Sequence, residues 1–236
     1  MSLAENIRKV QDHIAAAARE VGRDPGEITL VAATKVQTSE TIREAIAAGI
    51  TVCGENRVQE MTAHLADNAY EGAALHFIGH LQTNKVKFVV GRVNLIESVG
   101  SEHLLEAIEA QAAKLGMVQD ILLEVNVGGE ASKSGVAPEE LPALARRAVE
   151  LEHVRLRGLM AIPPAARLPG ENRPFFAEMK QLFIDIKSKI DDNGPVIDYL
   201  SMGMSGDYMD AVREGATLVR VGTALFGPRP PMGKTP

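Results

Sequence analysis

Short apolar runs alternate with stretches of helical periodicity along the chain, and the alternation repeats eight times. The spacing predicts strands over residues 28–34, 51–54, 75–79, 93–97, 120–127, 156–161, 197–202 and 218–222. The helical stretches between them carry start and stop signals. "TSETIREAIAAG" offers Thr38 or Ser39 as an N-cap and Gly49 as a stop, and "SEHLLEAIEAQAAKLG" opens on Ser101 and ends at Gly116. "APEELPALARRAVELE" puts Pro138 in a first helical turn, where its missing N–H costs nothing, with Pro142 early enough to be tolerated. Ahead of the first strand, "MSLAENIRKVQDHIAAAAREVG" reads as an amphipathic helix with charges throughout, unlike a signal peptide.

Eight βα units with one extra N-terminal helix predict an α/β fold: a single-domain (β/α)8 TIM-type barrel over residues 1–236. A doubly wound open sheet would want a glycine-rich phosphate loop after its first strand, and "TKVQTSE" there has no glycine. "IPPAARLPGENRPFF" reads as a long proline-rich loop after the sixth strand, and the tail over 228–236 is expected to be mobile.

Composition narrows the function classes. Hydrophobic residues at 45% and charged residues at 24% are ordinary for a soluble globular chain, and a net charge of −6 lacks the basic face that nucleic acid requires. Cys53 is the one cysteine, so no internal disulfide calls for an oxidising compartment. No apolar stretch is long enough to span a bilayer. The expectation is a cytoplasmic protein without nucleic-acid or membrane partners, and a monomer, since no exposed apolar stripe demands a dimer.

In such barrels chemistry sits at the carboxyl ends of the strands. There "LVAATK" delivers Lys35, "CGEN" delivers Glu55 and Asn56, "HFIGH" delivers His80 and "LLEVNV" delivers Asn126. Side-chain alternation puts Lys35 on the face of Val31 and Ala33, and Arg220 on the face of Leu218 and Gly222, so both cations point inward. Two inward cations are costly without a partner, and an anionic ligand would remove that cost. After strands seven and eight, "SMGMSGD" and "VGTALFG" supply Gly203, Gly206 and Gly222 for close approach, with Ser201, Ser205 and Thr223 as hydroxyl donors. That is the usual phosphate site of this architecture.

Other chemistries find less support. His76 and His80 lie four apart on a strand, which is not a helical zinc pairing, so no metal is expected. His13, His64, His103 and His153 fall on helices or their ends and are expected to be solvated. "GMSGD" lacks the last glycine of a nucleophile elbow, and no P-loop occurs. Cys53 reads as a small packing residue.

The stretches "LVAATK", "GENRVQE", "HFIGHLQTNK", "EASKSGV", "GLMAI", "LSMGMSGD" and "VRVGTALFG" run from the first strand to the last. Together they resemble the pyridoxal phosphate homeostasis proteins, whose fold resembles the barrel domain of alanine racemase. The resemblance implies pyridoxal 5'-phosphate as cofactor, with Lys35 forming the internal aldimine. Ser201, Ser205, Gly222 and Thr223 then correspond to phosphate-binding positions, Arg220 to the arginine near the pyridine nitrogen, and Asn56 to a pocket asparagine. The residues after the lysine, "VQT", depart from relatives that carry a second lysine or a proline there.

The resemblance further implies that alanine racemase brings a second base, a tyrosine, from an additional β-domain, and this chain has no residues left over for one. Tyr70, Tyr199 and Tyr208 fall in segments not expected opposite Lys35. The expectation is a non-catalytic carrier that holds the cofactor as a Schiff base on Lys35 and delivers it to PLP-dependent apo-enzymes. The alternatives are a slow PLP-dependent amino-acid racemase and a Schiff-base aldolase acting on a phosphorylated substrate. Lys133, in the "EASKSG" loop, is a candidate for assisting cofactor entry or release.

Overall fold

The computed structural model describes residues 2–130, 133–166, 168–190 and 196–228. Eight parallel strands close into a barrel in chain order: β1 (Thr29–Ala33), β2 (Val52–Glu55), β3 (Ala74–Phe77), β4 (Leu95–Val99), β5 (Gln119–Val125), β6 (Val154–Ala161), β7 (Tyr199–Ser201) and β8 (Leu218–Val221). β8 pairs back onto β1, with Val31 opposite Arg220. The helices are α1 (Leu3–Glu20), α2 (Ser39–Ala47), α3 (Val58–Ala66), α4 (Glu102–Leu115), α5 (Leu141–Val149), α6 (Arg173–Lys189), α7 (Tyr208–Arg213) and α8 (Thr223–Phe226), and a 3-10 turn over Thr83–Phe88 stands between β3 and β4. This is the (β/α)8 barrel that the alternating pattern predicts. Of the tail 228–236, all but Pro228 lies outside the described residues. Among the described residues no helix is long and apolar enough to cross a membrane.

The strand period of two divides the core. Val31, Ala33, Val52, Leu95, Leu122, Met160 and Leu218 point into the barrel and pack there with Ile78. Their neighbours Leu30, Ala32, Cys53, Ile96, Leu123, Leu159, Val219 and Val221 point outward into the larger layer under the helices. The extra helix follows its sequence signals. Ser2 and Glu5 form a capping box, and Ile7, Val10, Ile14 and Ala17 make a buried stripe at helical spacing. α1 packs along α7 and α8, and Asn6 donates to the Leu225 carbonyl.

Caps fall where expected at Thr38 and Ser101, and Gly116 is left-handed. Strand ends shift by up to two residues from the predicted ranges, and three differences are instructive. β4 starts two residues beyond the predicted 93, because Asn94 ties the edge with two bonds, its N–H to the Leu75 carbonyl and its side-chain oxygen to the Leu75 N–H. β6 starts earlier than 156, at Val154: Asp120 accepts from Arg155 at 2.6 Å and from Arg157 at 3.0 Å, so ion pairs carry the ladder where hydrophobicity ends. Pro138 lies before α5, whose first turn instead contains Pro142.

Candidate active site at the carboxyl ends of the strands

β1 ends at Ala33, and the chain rises out of the barrel through Thr34 to Lys35. Thr34 is fully buried; its N–H donates to the Gly54 carbonyl and its hydroxyl to Glu55 at 2.6 Å, which fixes the base of the lysine. Beyond it Val36 sits at φ 59°, a left-handed conformation costly for a β-branched residue, with its N–H held by Glu60 at 3.0 Å. Anchored on both sides, Lys35 enters a cavity of about 380 Å³. Asn56, Ser205, Arg220, Gly222 and Thr223 line the same cavity, with Ala33, Ile78, Ile162 and Met204 as apolar walls.

Close backbone approaches shape the rim. A Cβ on Gly79 would stand 2.1 Å from the Asn56 carbonyl oxygen, so only glycine lets the β3 loop pass the asparagine. Asn56 keeps a buried side-chain oxygen without a hydrogen-bond partner among the described residues. Across the mouth, the Ser205 hydroxyl accepts from the Gly222 and Ala224 N–H groups, each at 3.2 Å, and so joins the β7 and β8 loops. A Cβ on Gly206 would meet nothing within 4 Å, which leaves open space beside that serine.

Of the seven site positions expected from sequence, six line the cavity; Ser201 does not. β7 turns the Ser201 side chain into the barrel below the mouth, where it is fully buried. There it donates to Glu97 Oε2 at 2.6 Å and accepts from Arg220 Nη1. Arg220 also donates to the Ala161 carbonyl at 2.8 Å, and Glu97 is held from its other side by His76 Nδ1 at 2.7 Å. Arg220 points inward as expected, and its charge is met by a protein anion: Glu97 lies 3.8 Å from its guanidinium. Burial pulls Arg220 below the usual arginine range, against the opposing charges of Glu97, Glu124 and Asp207. Burial alone would raise Glu97, but bonds and charge from His76, with Arg220 and Ser201, hold it below the usual carboxylate range. Sequence reading missed Glu97 and Glu124, although both fall at inward positions, two residues after Leu95 and Leu122.

Glu55 also ends a strand, yet it turns away from the mouth. It sits beneath α3, accepting from Thr34 and from Tyr70 at 2.9 Å, with His64 Nδ1 at 3.3 Å. His64 is thus buried rather than solvated. Burial pushes the Glu55 carboxyl up, against the bonds from Thr34 and Tyr70 and the charge of His64.

The matches to known proteins agree with this geometry. Residues 2–230 match the family described as "Alanine racemase, N-terminal domain". A pyridoxal phosphate homeostasis protein of Aquifex aeolicus is 42% identical over 97% of this chain and 99% of that one. Its counterpart in Pseudomonas aeruginosa is 41% identical over 97% of this chain and 96% of that one. This chain belongs to the pyridoxal phosphate homeostasis protein family. The solved structure of PipY from Synechococcus elongatus, described with PLP bound, superposes with a TM-score of 0.82 at 32% identity, covering 96% of this chain and all of that one (100%).

Lys133, His80 and Asn126 of this homeostasis-family chain do not line the Lys35 cavity. Lys133 donates to the Pro163 carbonyl at 3.0 Å beside Glu130, which ties the β5 loop to the β6 loop. His80 Nδ1 pairs with the Ser134 hydroxyl at 2.9 Å, and Asn126 donates to the Glu130 carbonyl at 2.9 Å. Cys53 is fully buried among outer-layer residues, and burial, then the Glu55 charge, pushes its thiol up to about 12. Native protein at pH 8 should react with a thiol reagent at least about a hundredfold more slowly than the urea-unfolded chain. Equal rates would contradict this packing.

Proposed function

We propose that this chain binds pyridoxal 5'-phosphate and serves its homeostasis: it holds the cofactor covalently through Lys35, limits the free aldehyde, and passes the cofactor to PLP-dependent apo-enzymes. We further infer a cytoplasmic, monomeric carrier rather than a catalyst. The observation that carries the reading is the convergence of Lys35, Asn56, Ser205, Arg220, Gly222 and Thr223 on one cavity.

The residues fit such a group. Ala33, Ile78, Ile162 and Met204 offer apolar walls for a flat ring, the open space beside Gly206 suits a phosphate, and the orphaned Asn56 oxygen lacks the partner a ligand would supply. When bound, the cofactor supplies a reactive aldehyde and an electron-poor ring. Lys35 contributes the amine that anchors the aldehyde carbon. Ser205 and Thr223 hydroxyls and the backbone at Gly222 would hold the phosphate. Arg220, as a guanidinium that holds its proton, would donate to the ring nitrogen without protonating it, which would leave the ring a poor electron sink.

That electronic setting favours a carrier over a racemase, and so does the placement of the tyrosines. Tyr70 bonds Glu55, the Tyr208 hydroxyl pairs with His13 Nδ1 at 2.9 Å, and Tyr199 lies under the Arg157 guanidinium. None of the three lines the Lys35 cavity as a second base.

Borohydride reduction of the purified, cofactor-loaded protein followed by peptide mass spectrometry tests the proposal. The expected result is a pyridoxyl adduct on Lys35 and a visible absorption band that Lys35→Ala abolishes. A colourless protein, or an adduct confined to other lysines, overturns it. Robust turnover of amino-acid enantiomers by wild type would replace carrier with racemase, and trapping of a phosphorylated carbonyl substrate without the band would replace it with aldolase.

A further inference from the structure

A second and larger cavity, about 680 Å³, opens on the β3–β5 side of the mouth and shares no lining residue with the Lys35 cavity. Its wall brings together His80, Gln82, Asn84, Ser98, Glu124 and Ser134. Two of these side chains are almost wholly buried, Ser98 at 2% and Glu124 at 6% exposure. Ser98 Oγ and Glu124 Oε2 have no hydrogen-bond partner among the described residues. A buried carboxyl oxygen and a buried hydroxyl left unpaired are costly to folding, and both residues line a cavity large enough for a ligand.

The loops around them are built for close approach. Gly135, at φ 105°, presses its backbone onto Asn126, and a Cβ on Gly100 would stand 2.8 Å from the Gly135 nitrogen. The bond between His80 and Ser134 joins the β3 loop to the β5 loop across the cavity. Among the described residues no lysine or arginine lines it, so these offer no cation to a phosphate, and the acceptors suit a donor-rich cation.

We propose that this cavity is a binding site for the ammonium group of a small primary amine, received by Glu124 and Ser98. A primary ammonium brings three N–H donors, enough to satisfy both orphaned acceptors at once. The proposal stands on this cavity alone and is independent of cofactor binding at Lys35. Burial raises the Glu124 carboxyl to about 7, against the opposing charge of Arg220 on β8. His80, on the β3 loop, is the other titratable group lining the cavity. An arriving ammonium favours the carboxylate, so binding below pH 7 should release a proton from Glu124.

Calorimetric titration of methylammonium and of glycine into wild type, Glu124→Gln, Ser98→Ala and Lys35→Ala, in cacodylate and in MOPS at pH 6 and pH 8, tests it. Both probes should bind wild type, and acetate should not. Glu124→Gln should weaken binding at pH 8 at least about tenfold and abolish proton release at pH 6. Ser98→Ala should weaken binding several-fold, and it keeps the test open should the glutamine variant fold poorly. Lys35→Ala should leave both readouts unchanged, which separates this site from amine chemistry at the cofactor. Absence of binding to wild type, equal affinity in Glu124→Gln, or binding lost only in Lys35→Ala would each overturn the assignment.

Discussion

Gly158→Ala is expected to lower stability by at least about 3 kcal/mol, a fall in melting temperature of roughly 6–12 °C for a chain of this size. Gly158 pairs with Tyr199 across β6 and β7, directly after a register shift in which β5 steps from Leu156 to Gly158 and skips Arg157. At φ 155° its absent side chain would point at the neighbouring strand, with a Cβ only 1.7 Å from the Tyr199 carbonyl oxygen and 2.6 Å from the carbonyl carbon. Backbone cannot rotate away as a flexible side chain would, so β7 must separate from β6. β7 has three residues and carries both Ser201 and the loop to Ser205, so the same substitution should loosen the Lys35 cavity. Thermal unfolding followed by circular dichroism measures the effect. A melting temperature within about 2 °C of wild type would show that the two strands are not packed this closely.

Removal of the carboxylate at the centre of the barrel should cost as much or more. Glu97→Ala leaves Arg220 and His76 buried without their shared anion, a loss of about 3–5 kcal/mol at neutral pH. Its pH dependence has a definite sign. The folded carboxyl lies below its ordinary value of 4.5, so its stabilisation is complete above that pH and fades as pH falls through the lower folded value. The gap between wild type and Glu97→Ala should therefore be widest near pH 7 and narrow below about pH 4.5. Urea unfolding across that range checks it; a gap that stays constant or widens in acid would remove Glu97 as the anion that balances Arg220.

Much of this molecule was legible in the order of its residues. The alternation of short apolar runs with capped helical stretches specifies eight βα units, since strand and helix periods differ and each unit must bury one face. Alternation within β1 and β8 put Lys35 and Arg220 on inward faces from Val31, Ala33 and Leu218 alone, and these residues do pack together inside the barrel. The loops bearing Ser205, Gly222 and Thr223 were likewise marked by small and hydroxylated residues.

Tertiary structure decided how the inward charges are balanced. Glu97, His76, Ser201 and Arg220 come from four strands, and only closure of the sheet brings them within hydrogen-bond reach. Ser201, which as a string reads like the serines of the loop above it, is consumed by that network because it is the last residue of β7 and its side chain is buried inside the barrel. Glu55 and His64 were equally undetermined, since a strand end can face the mouth or the helix layer, and the Thr34 and Tyr70 hydroxyls settle it for the helix layer. Local sequence fixes which side of an element is apolar, because that depends on neighbours along the chain. It does not fix which polar groups meet in the interior, because the partners lie far apart along the chain, 104 positions for Ser201 and Glu97, and desolvation makes their pairing obligatory only once the barrel has closed.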